Sequence, residues 1–533
     1  MTFDSNRRCD APSRGTAPAS AAPDPARGLT PTLEEVRELA RDGRYRRVPV
    51  RRELYADRFT PVEALRRLRA ASSHCFLLES AEPDRRWGRY SFLGYRPTVE
   101  VTCVDGMLTL RRDVEGPGEP TVERRRVEHP GEAVRALLAE NRSPRLAGFP
   151  PFSGGLMGYF AYDYLKYAEP TLRRDDLAGA DFLDMDLMLF DRIVAFDAYR
   201  QKVDVISSVE LPRADAPDFD GELARAYELA AAAADETQAL LEGDALYPFE
   251  PLRLGGELAP RFDRARFGRM VAAAKRHIRE GDVFQVVLSN PRTAPASGSL
   301  LDAYRALRST NPSPYMVFLT SDDVELAAAS PETLVRLQDG RLFTYPLAGT
   351  RPRGDTPEAD AELERGLLAD EKELAEHNML VDLGRNDLGR VARLGSVHVE
   401  RLHDVLRFSH VMHIGSTVAA ELAPGRDALD VIDAVLPAGT LSGAPKLRAC
   451  QVIAELEGRK RGVYGGAIGY LDLSGNMDTC IGIRLAYRRA GEVCVQSGAG
   501  IVADSDPDRE YDECANKARA VTEALRAAEG GLA

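Results

Sequence analysis

The sequence predicts an α+β fold, two-lobed, with large, mostly antiparallel sheets flanked by helices. Three observations carry this. Short β-branched and aromatic runs recur along the whole chain. Several lie close enough together to pair as hairpins. Long helical patterns occur, but they do not alternate strictly with the strand runs, as a doubly wound parallel fold requires. No internal repeat of fixed period is present.

Residues 1 to about 30 are rich in Ala, Pro, Ser, Arg and Asp without apolar periodicity, and read as a disordered tail. A helix opens at Thr32, an N-cap with Glu35 three residues on. The runs CFLLES, SFLGY, TVEVTCV and MLTLRR have strand length and alternation. Residues 151–165 (PFSGGLMGYFAYDYL) mix glycines and aromatics, as strands and turns with close backbone approach do. Residues 187–209 read as a two-stranded hairpin turning near Asp197. Residues 221–241 are Ala-rich and helical, with Gly243 as a stop. The first lobe is 31–245, and a Gly- and Pro-containing stretch over 243–260 marks the boundary. The second lobe, 258–528, opens with a helix over 264–281 and a strand over 282–289. Helices over 354–386, 427–436, 443–457 and 507–528 follow, among strand runs such as YMVFLT, RLFTYPL and VCVQSGAGIV.

Composition limits the function. With 44% hydrophobic and 29% charged residues, the 533-residue chain is globular. Its 70 basic and 83 acidic side chains give a net charge of −13, which argues against nucleic-acid binding and against a polybasic membrane anchor. No apolar run is long enough for a membrane helix. The seven cysteines form no CxxC pair and read as reduced packing thiols. The N-terminus has no apolar leader, so the expectation is a soluble cytoplasmic protein.

Two helical segments each place two carboxylates on one face: Glu373 with Glu376, and Glu510 with Glu513. Alone, each pair reads as a solvated helix face. Together, they are a donor set for a hard cation such as Mg²⁺, which takes oxygen ligands and keeps several waters. PAGTLSGAPK (437–446) precedes a helix expected from about Gly443, where exposed amides suit an anion. It lacks the Lys-Ser/Thr ending of a phosphate-binding loop. QSGAGIVAD (496–504) reads as a tight turn offering amides from Gly498 and Gly500 rather than as a dinucleotide site. His413 sits on a strand, where the bland reading of a lone histidine is a core residue.

These segments bring a resemblance. The chain resembles the chorismate-utilising enzymes and, among them, the large subunits of anthranilate synthases. It does so from about Thr32 to about Ala528 through LLES (77–80), GDVFQVV (281–287), NPSPYM (311–316), SPET (330–333), PLAGTRPRG (346–354), KELAEHNMLVDLGRNDLGRV (372–391), HVMH (410–413), GTLSGAPK (439–446), YGGAIGYLDLSGNMDT (464–479), IR (483–484) and SGAGIVADSDPDREYDECANKARA (497–520). The resemblance implies that chorismate and ammonia give an amino intermediate, which loses pyruvate to leave anthranilate, the first committed step of tryptophan synthesis. It puts the substrate's ring carboxylate on Mg²⁺ held by Glu376 and Glu513, with Glu373 and Glu510 on the ion's waters. Glu332 matches the acid that protonates the leaving hydroxyl, and His413 the histidine of the elimination. Arg484 matches the grip on the enolpyruvyl carboxylate. Tyr464, Gly498, Ala499 and Gly500 match substrate-binding positions, and Thr440 and Lys517 line the same pocket.

Two positions separate relatives within the resemblance. Isochorismate and salicylate synthases use a lysine to activate water where this chain has Gln285. Aminodeoxychorismate synthases carry a nucleophilic lysine in PIKGT where this chain has Ala348. LLES and NPSPYM match a tryptophan-feedback pocket, with Glu79 and Ser80 on polar contacts and Pro314, Tyr315 and Met316 around the indole. Read bare, these are strand-end and turn residues. A separate glutamine amidotransferase subunit is implied as the ammonia source, because no glutaminase motif occurs in the chain. The alternatives are a 2-amino-2-deoxyisochorismate synthase of a specialised pathway, an aminodeoxychorismate synthase component, or a non-catalytic chorismate- or tryptophan-binding regulator.

Overall fold

The computed structural model describes residues 28–532 apart from 42, 81–87, 117, 175, 178–181 and 408–410. Apart from residues 28–30, the expected disordered tail lies outside the described residues. The strands form one thirteen-stranded and one twelve-stranded sheet, antiparallel in their ladders and flanked by twelve α-helices among the described residues. No described helix is long and apolar enough to cross a membrane.

Both sheets run without a break through both halves of the sequence. In the first, Cys75–Glu79 pairs with Tyr315–Thr320, placing Glu79 opposite Met316. In the second, Gly155–Phe160 pairs with Ala467–Asp472, placing Gly158 opposite Gly469. These two glycines are required by close approach. A Cβ at Gly158 would stand 2.0 Å from the Asp186 carbonyl oxygen, and one at Gly469 would stand 2.1 Å from that of Asp478.

The sheets stack around Phe76, Phe92, Met157, Met188, Val317, Ile468 and Cys480. Alternate residues on strands of the first sheet, Leu77, Leu93 and Val194, face outward under helices that contribute Leu223, Tyr304 and Val521. The strands are apolar on both faces because both faces are covered, which is why CFLLE reads as a continuous apolar run. The six described cysteines are free and buried, as packing thiols are.

The chain repeatedly steps from one sheet to the other through a very short link. Met185–Phe190 lies in the second sheet and Arg192–Asp197 in the first, with only Asp191 between. Residues 187–209 are therefore not the expected two-stranded hairpin. Only Arg192–Asp197 and Lys202–Glu210 form one, turning where the Asp197 carboxylate accepts from the Tyr199 and Arg200 amides. The same step occurs between Glu325–Ser330 and Thr333–Gln338, and between Met477–Ile481 and Leu485–Arg489.

The capping box at Thr32 forms in both directions with Glu35. Other boundaries differ from expectation. The 354–386 helix is two, Pro357–Leu368 and Glu371–Gly389, because Asp370 caps a new start by accepting from the Lys372 and Glu373 amides. The 282–289 strand begins later and runs on as Gln285–Ser297. Its prolines lack an N–H but still accept: the Pro291 carbonyl from Arg261 at 2.8 Å and the Pro295 carbonyl from Gly255 at 2.7 Å. The helix expected from about Gly443 starts at Lys446, because Gly443 and Ala444 pair as a short strand with Gln285 and Val286.

Candidate active site

Two of the steps between sheets carry the site. Glu332 lies in one and Arg484 in the other, and the backbone sews them together. The Ile481 amide donates to the Glu332 carbonyl at 3.0 Å, and the Ala329 amide to the Arg484 carbonyl at 3.0 Å. Arg484 holds φ at +49°, a conformation uncommon outside glycine that turns its side chain out of the strand path. The cleft beside Glu332 is closed by the turn Gly439–Leu441 and by Leu383 and Asp387 of the Glu371–Gly389 helix.

The Thr440 hydroxyl donates to Glu332 Oε1 at 3.2 Å. Burial pushes the Glu332 carboxyl up to about 7, against the Thr440 hydrogen bond and the Arg484 charge, which both favour the carboxylate. Arg484 is exposed and, among the described residues, its guanidinium has no hydrogen-bond or ion-pair partner. Protein packed around it lowers its pKa, while Glu332 acts the other way. His413 Nδ1 lies 3.1 Å from the Gly349 carbonyl and 3.0 Å from the Thr350 hydroxyl. A carbonyl only accepts, so Nδ1 carries the proton and Nε2 keeps a lone pair. Burial lowers the His413 pKa, and the Arg484 charge lowers it further. Acid, guanidinium and neutral imidazole thus share one neighbourhood.

Two glycines lie under Tyr464 and Gln285. A Cβ on Gly498 would stand 2.7 Å from the Tyr464 hydroxyl, and one on Gly500 would stand 2.6 Å from the Gln285 amide nitrogen. The two glycines bring Tyr464 and Gln285 down onto the strand Glu492–Ile501. They are strand-interior residues, not the expected tight turn, because they pair with Ser289 and Val287. Ala499 between them turns its methyl to the opposite face, into the cluster of Phe267, Val286 and Val452. Ala348 pairs with Ile414 on the strand beside His413 and offers only a methyl.

Of the acidic pairs, Glu373 meets Arg351 at 3.3 Å, and Glu513 meets Lys517 at 2.7 Å. Glu376 is exposed. Burial raises the Glu510 pKa and the neighbouring Glu513 charge adds to it, against a Ser505 hydrogen bond. Among the described residues, no three of the four carboxylates bring oxygens within 4.8 Å of one another. The donor set still fits a hard dication: it is all oxygen, and a cation would relieve the Glu510–Glu513 repulsion.

In the first sheet, in the same cross-strand row as Met316 and Ala329, the Glu79 carboxylate accepts from the Tyr304 hydroxyl at 2.6 Å and from Arg308 at 2.8 and 3.1 Å. Ser80 Oγ and Asn311 Nδ2 are buried, Ser80 being the next residue, and among the described residues neither has a hydrogen-bond partner. Met316 shares the Glu79 side of the sheet, whereas Tyr315 faces the space between the sheets and donates to Asp478 at 2.7 Å. Tyr315 and Met316 therefore stand on opposite faces, and Pro314 is half-buried just before them.

Two charged pairs escaped the sequence reading. Lys446 donates to both Asp387 oxygens at 2.7 Å and to the Val435 carbonyl at 3.0 Å, fastening the 437–446 loop to the helix of Glu373 and Glu376. Glu457 and Arg461 form a buried pair behind the cleft. The only signal for the Lys446 contact is a lysine inside a Gly- and Pro-rich segment. The spacing of Glu457 and Arg461 is that of an ordinary i,i+4 surface pair.

A sequence profile described as chorismate binding enzyme matches residues 55–523. Anthranilate synthase component 1 of Acetivibrio thermocellus is 40% identical over 513 residues, 93% of this chain and 99% of that protein. The crystal structure of anthranilate synthase component I from Streptococcus pneumoniae superposes with a TM-score of 0.69 at 36% identity, over 82% of this chain and 92% of that one. The menaquinone-specific isochorismate synthase of Escherichia coli, at 20% identity and a TM-score of 0.63 over 92% of this chain and 98% of that one, shares the fold. With acid, guanidinium and glycine pair placed on that fold, this chain belongs to the chorismate-binding enzymes, in the branch of the anthranilate synthase component 1 proteins.

Proposed function

We propose that the chain converts chorismate and ammonia to anthranilate and pyruvate, the ammonia coming from a separate glutamine amidotransferase subunit. The observation that carries this is the enclosed Glu332 carboxyl, raised to about 7 and placed between the Thr440 hydroxyl and the Arg484 guanidinium. The guanidinium fork takes the enolpyruvyl carboxylate. Glu332 gives its proton to the C4 oxygen, which leaves as water as the C4–O bond breaks, the ring double bonds shift, and ammonia bonds to C2 and then gives up one proton to solvent. The C2 proton is then lost as the C3–O bond breaks, the enolpyruvyl carbon is protonated to pyruvate, and the ring becomes aromatic. His413, neutral with a lone pair on Nε2, serves that elimination. Gln285 and Ala348 offer neither a base for water nor a nucleophile, so ammonia, itself a nucleophile, is the co-substrate.

Glu376 and Glu513 would hold Mg²⁺ directly, with Glu373 and Glu510 on its waters and Lys517 as the present partner of Glu513. When bound, the ion supplies a Lewis acid for the ring carboxylate. Tryptophan, as an inhibitor, occupies the region of Glu79 and Ser80, where the two orphaned polar atoms support a polar ligand. The test is product analysis with chorismate, Mg²⁺ and ammonium. Anthranilate fluorescence with equimolar pyruvate supports the reading; accumulation of a non-fluorescent amino intermediate rejects it. Glutamine should replace ammonium only when the amidotransferase is added.

A further inference from the structure

We propose that the buried ion pair Glu457–Arg461 is a positioning device for the active site, holding the segments that carry Gln285, Thr440 and Tyr464 in one fixed arrangement. Neither residue lines the cleft: both side chains are 1% exposed. Arg461 uses its planar fork on three separate pieces of chain. Nε and Nη2 donate to Glu457 at 3.0 and 2.5 Å. Nη1 donates to the carbonyl of Leu441, the residue after Thr440, at 2.7 Å. Nη2 donates to the carbonyl of Val287, two residues after Gln285, at 2.8 Å. The guanidinium also lies 4.7 Å from the Tyr162 ring centre and 5.7 Å from that of Tyr464.

Glu457 completes the frame. Its Oε1 accepts from the Ser289 amide at 2.8 Å and from the Ser289 hydroxyl at 3.0 Å. The Ser289 hydroxyl in turn accepts from Gln496 Nε2 at 2.8 Å, on the strand that carries Gly498 and Gly500. The segments of Thr440, Gln285 and Tyr464 and the strand of Gly498 and Gly500 are therefore referred to one guanidinium and its partner carboxylate. A buried ion pair is weak support for stability, because an apolar pair of similar volume serves as well. An apolar pair would not fix three carbonyl and amide groups at defined distances. A lysine would not either, since it has one nitrogen where Arg461 uses three.

The proposal rests on the roles given above to Glu332 and Thr440. A shift of Leu441 carries the Thr440 hydroxyl away from Glu332, so its loss should be felt at the acid. The experiment measures ammonium-dependent anthranilate formation across pH for wild type, Arg461→Lys, Ser289→Ala, Thr440→Val and the Arg461→Lys/Thr440→Val double variant, with melting curves for each. Misplacement on the scale of an ångström should lower kcat of Arg461→Lys about 100-fold, with a smaller change in KM for chorismate. Its alkaline limb should move to higher pH, as in Thr440→Val, because both weaken the hydroxyl donation that favours the Glu332 carboxylate. The double variant should be little slower than the slower single, since both changes act through one contact. Ser289→Ala loses one hydroxyl and no charge, and should lower kcat about 3-fold in a folded enzyme. If Arg461→Lys does not fold, Ser289→Ala decides alone. Wild-type kcat and pH profile in the folded variants, with only the melting temperature lowered, would overturn the proposal, as would additive effects in the double. A wild type that makes no anthranilate at all sinks the functional reading first and the positioning role with it.

Discussion

The Thr440 hydroxyl reaches the Glu332 carboxylate from a turn that belongs to neither sheet, while Glu332 itself sits where the chain passes from one sheet to the other. The acid is thus held from three directions: by its own crossover, by the Ile481 amide on its carbonyl, and by Thr440 on its side chain. Its pKa is raised by burial, against the Thr440 hydrogen bond, and that raised value is testable.

With Glu332 up to about 7, the protonated form that donates to a leaving hydroxyl is present below that pH and is lost as pH rises through it. Turnover should fall on the alkaline side with an apparent pKa near that value. Glu332→Gln should lower kcat by about 100-fold or more and remove this limb. A variant that keeps the limb would assign it to another group.

Arg484 is predicted to separate binding from stability. Because its guanidinium has no partner among the described residues, Arg484→Met breaks none of their ion pairs and should leave the melting temperature close to wild type. The KM for chorismate should rise by about 10- to 100-fold, the loss of a charge-assisted hydrogen-bonded pair. Isothermal titration with chorismate checks the first effect and calorimetric melting the second.

Glu376→Gln and Glu513→Gln each remove one charge at nearly constant shape. Both should abolish Mg²⁺-dependent activity while circular dichroism and melting stay near wild type, since neither carboxylate is deeply buried. Near-normal turnover of both at saturating Mg²⁺ would reject the metal site.

Ser80→Phe should fill the region around the orphaned Ser80 and Asn311 atoms and abolish tryptophan inhibition, while leaving uninhibited turnover largely intact. The coupling at stake is typically about 1–3 kcal/mol. Calorimetric titration with tryptophan on both proteins is the check. A wild type that binds none removes the regulatory reading.

Gly158→Ala should be costly without touching the chemistry. Its Cβ would meet backbone, not a flexible side chain, 2.0 Å away, so the ladder between Gly155–Phe160 and its neighbours must part. A loss of about 3 kcal/mol is expected, read as a lowered urea midpoint with kcat unchanged in the remaining folded enzyme.

Features set by local chemistry are legible in the sequence: the Thr32–Glu35 box, the stop at Gly243, and the i,i+3 carboxylates that lie along real helices. What is not legible depends on contacts across the molecule. The 187–209 hairpin fails because one residue, Asp191, suffices to change sheets, and the strands on either side of it are equally apolar. Gly498 and Gly500 suggest a turn because their real cause, the Tyr464 hydroxyl and the Gln285 amide pressing on a strand, comes from segments far away. Glu457 and Arg461 have the spacing of a solvated pair, and only the burial of their surroundings distinguishes them.

The seams at Glu79–Met316 and Gly158–Gly469 bear on how the polypeptide comes off the ribosome. When the first 245 residues have emerged, Cys75–Glu79 and Gly155–Phe160 each have one flank whose partner has not been synthesised. Bare flanks of that kind attract other strands, including those of neighbouring nascent copies. Final assembly of both sheets must wait for residues beyond 467. A gene split near residue 250 should therefore yield two pieces that are sticky apart and recover a working enzyme only when produced together.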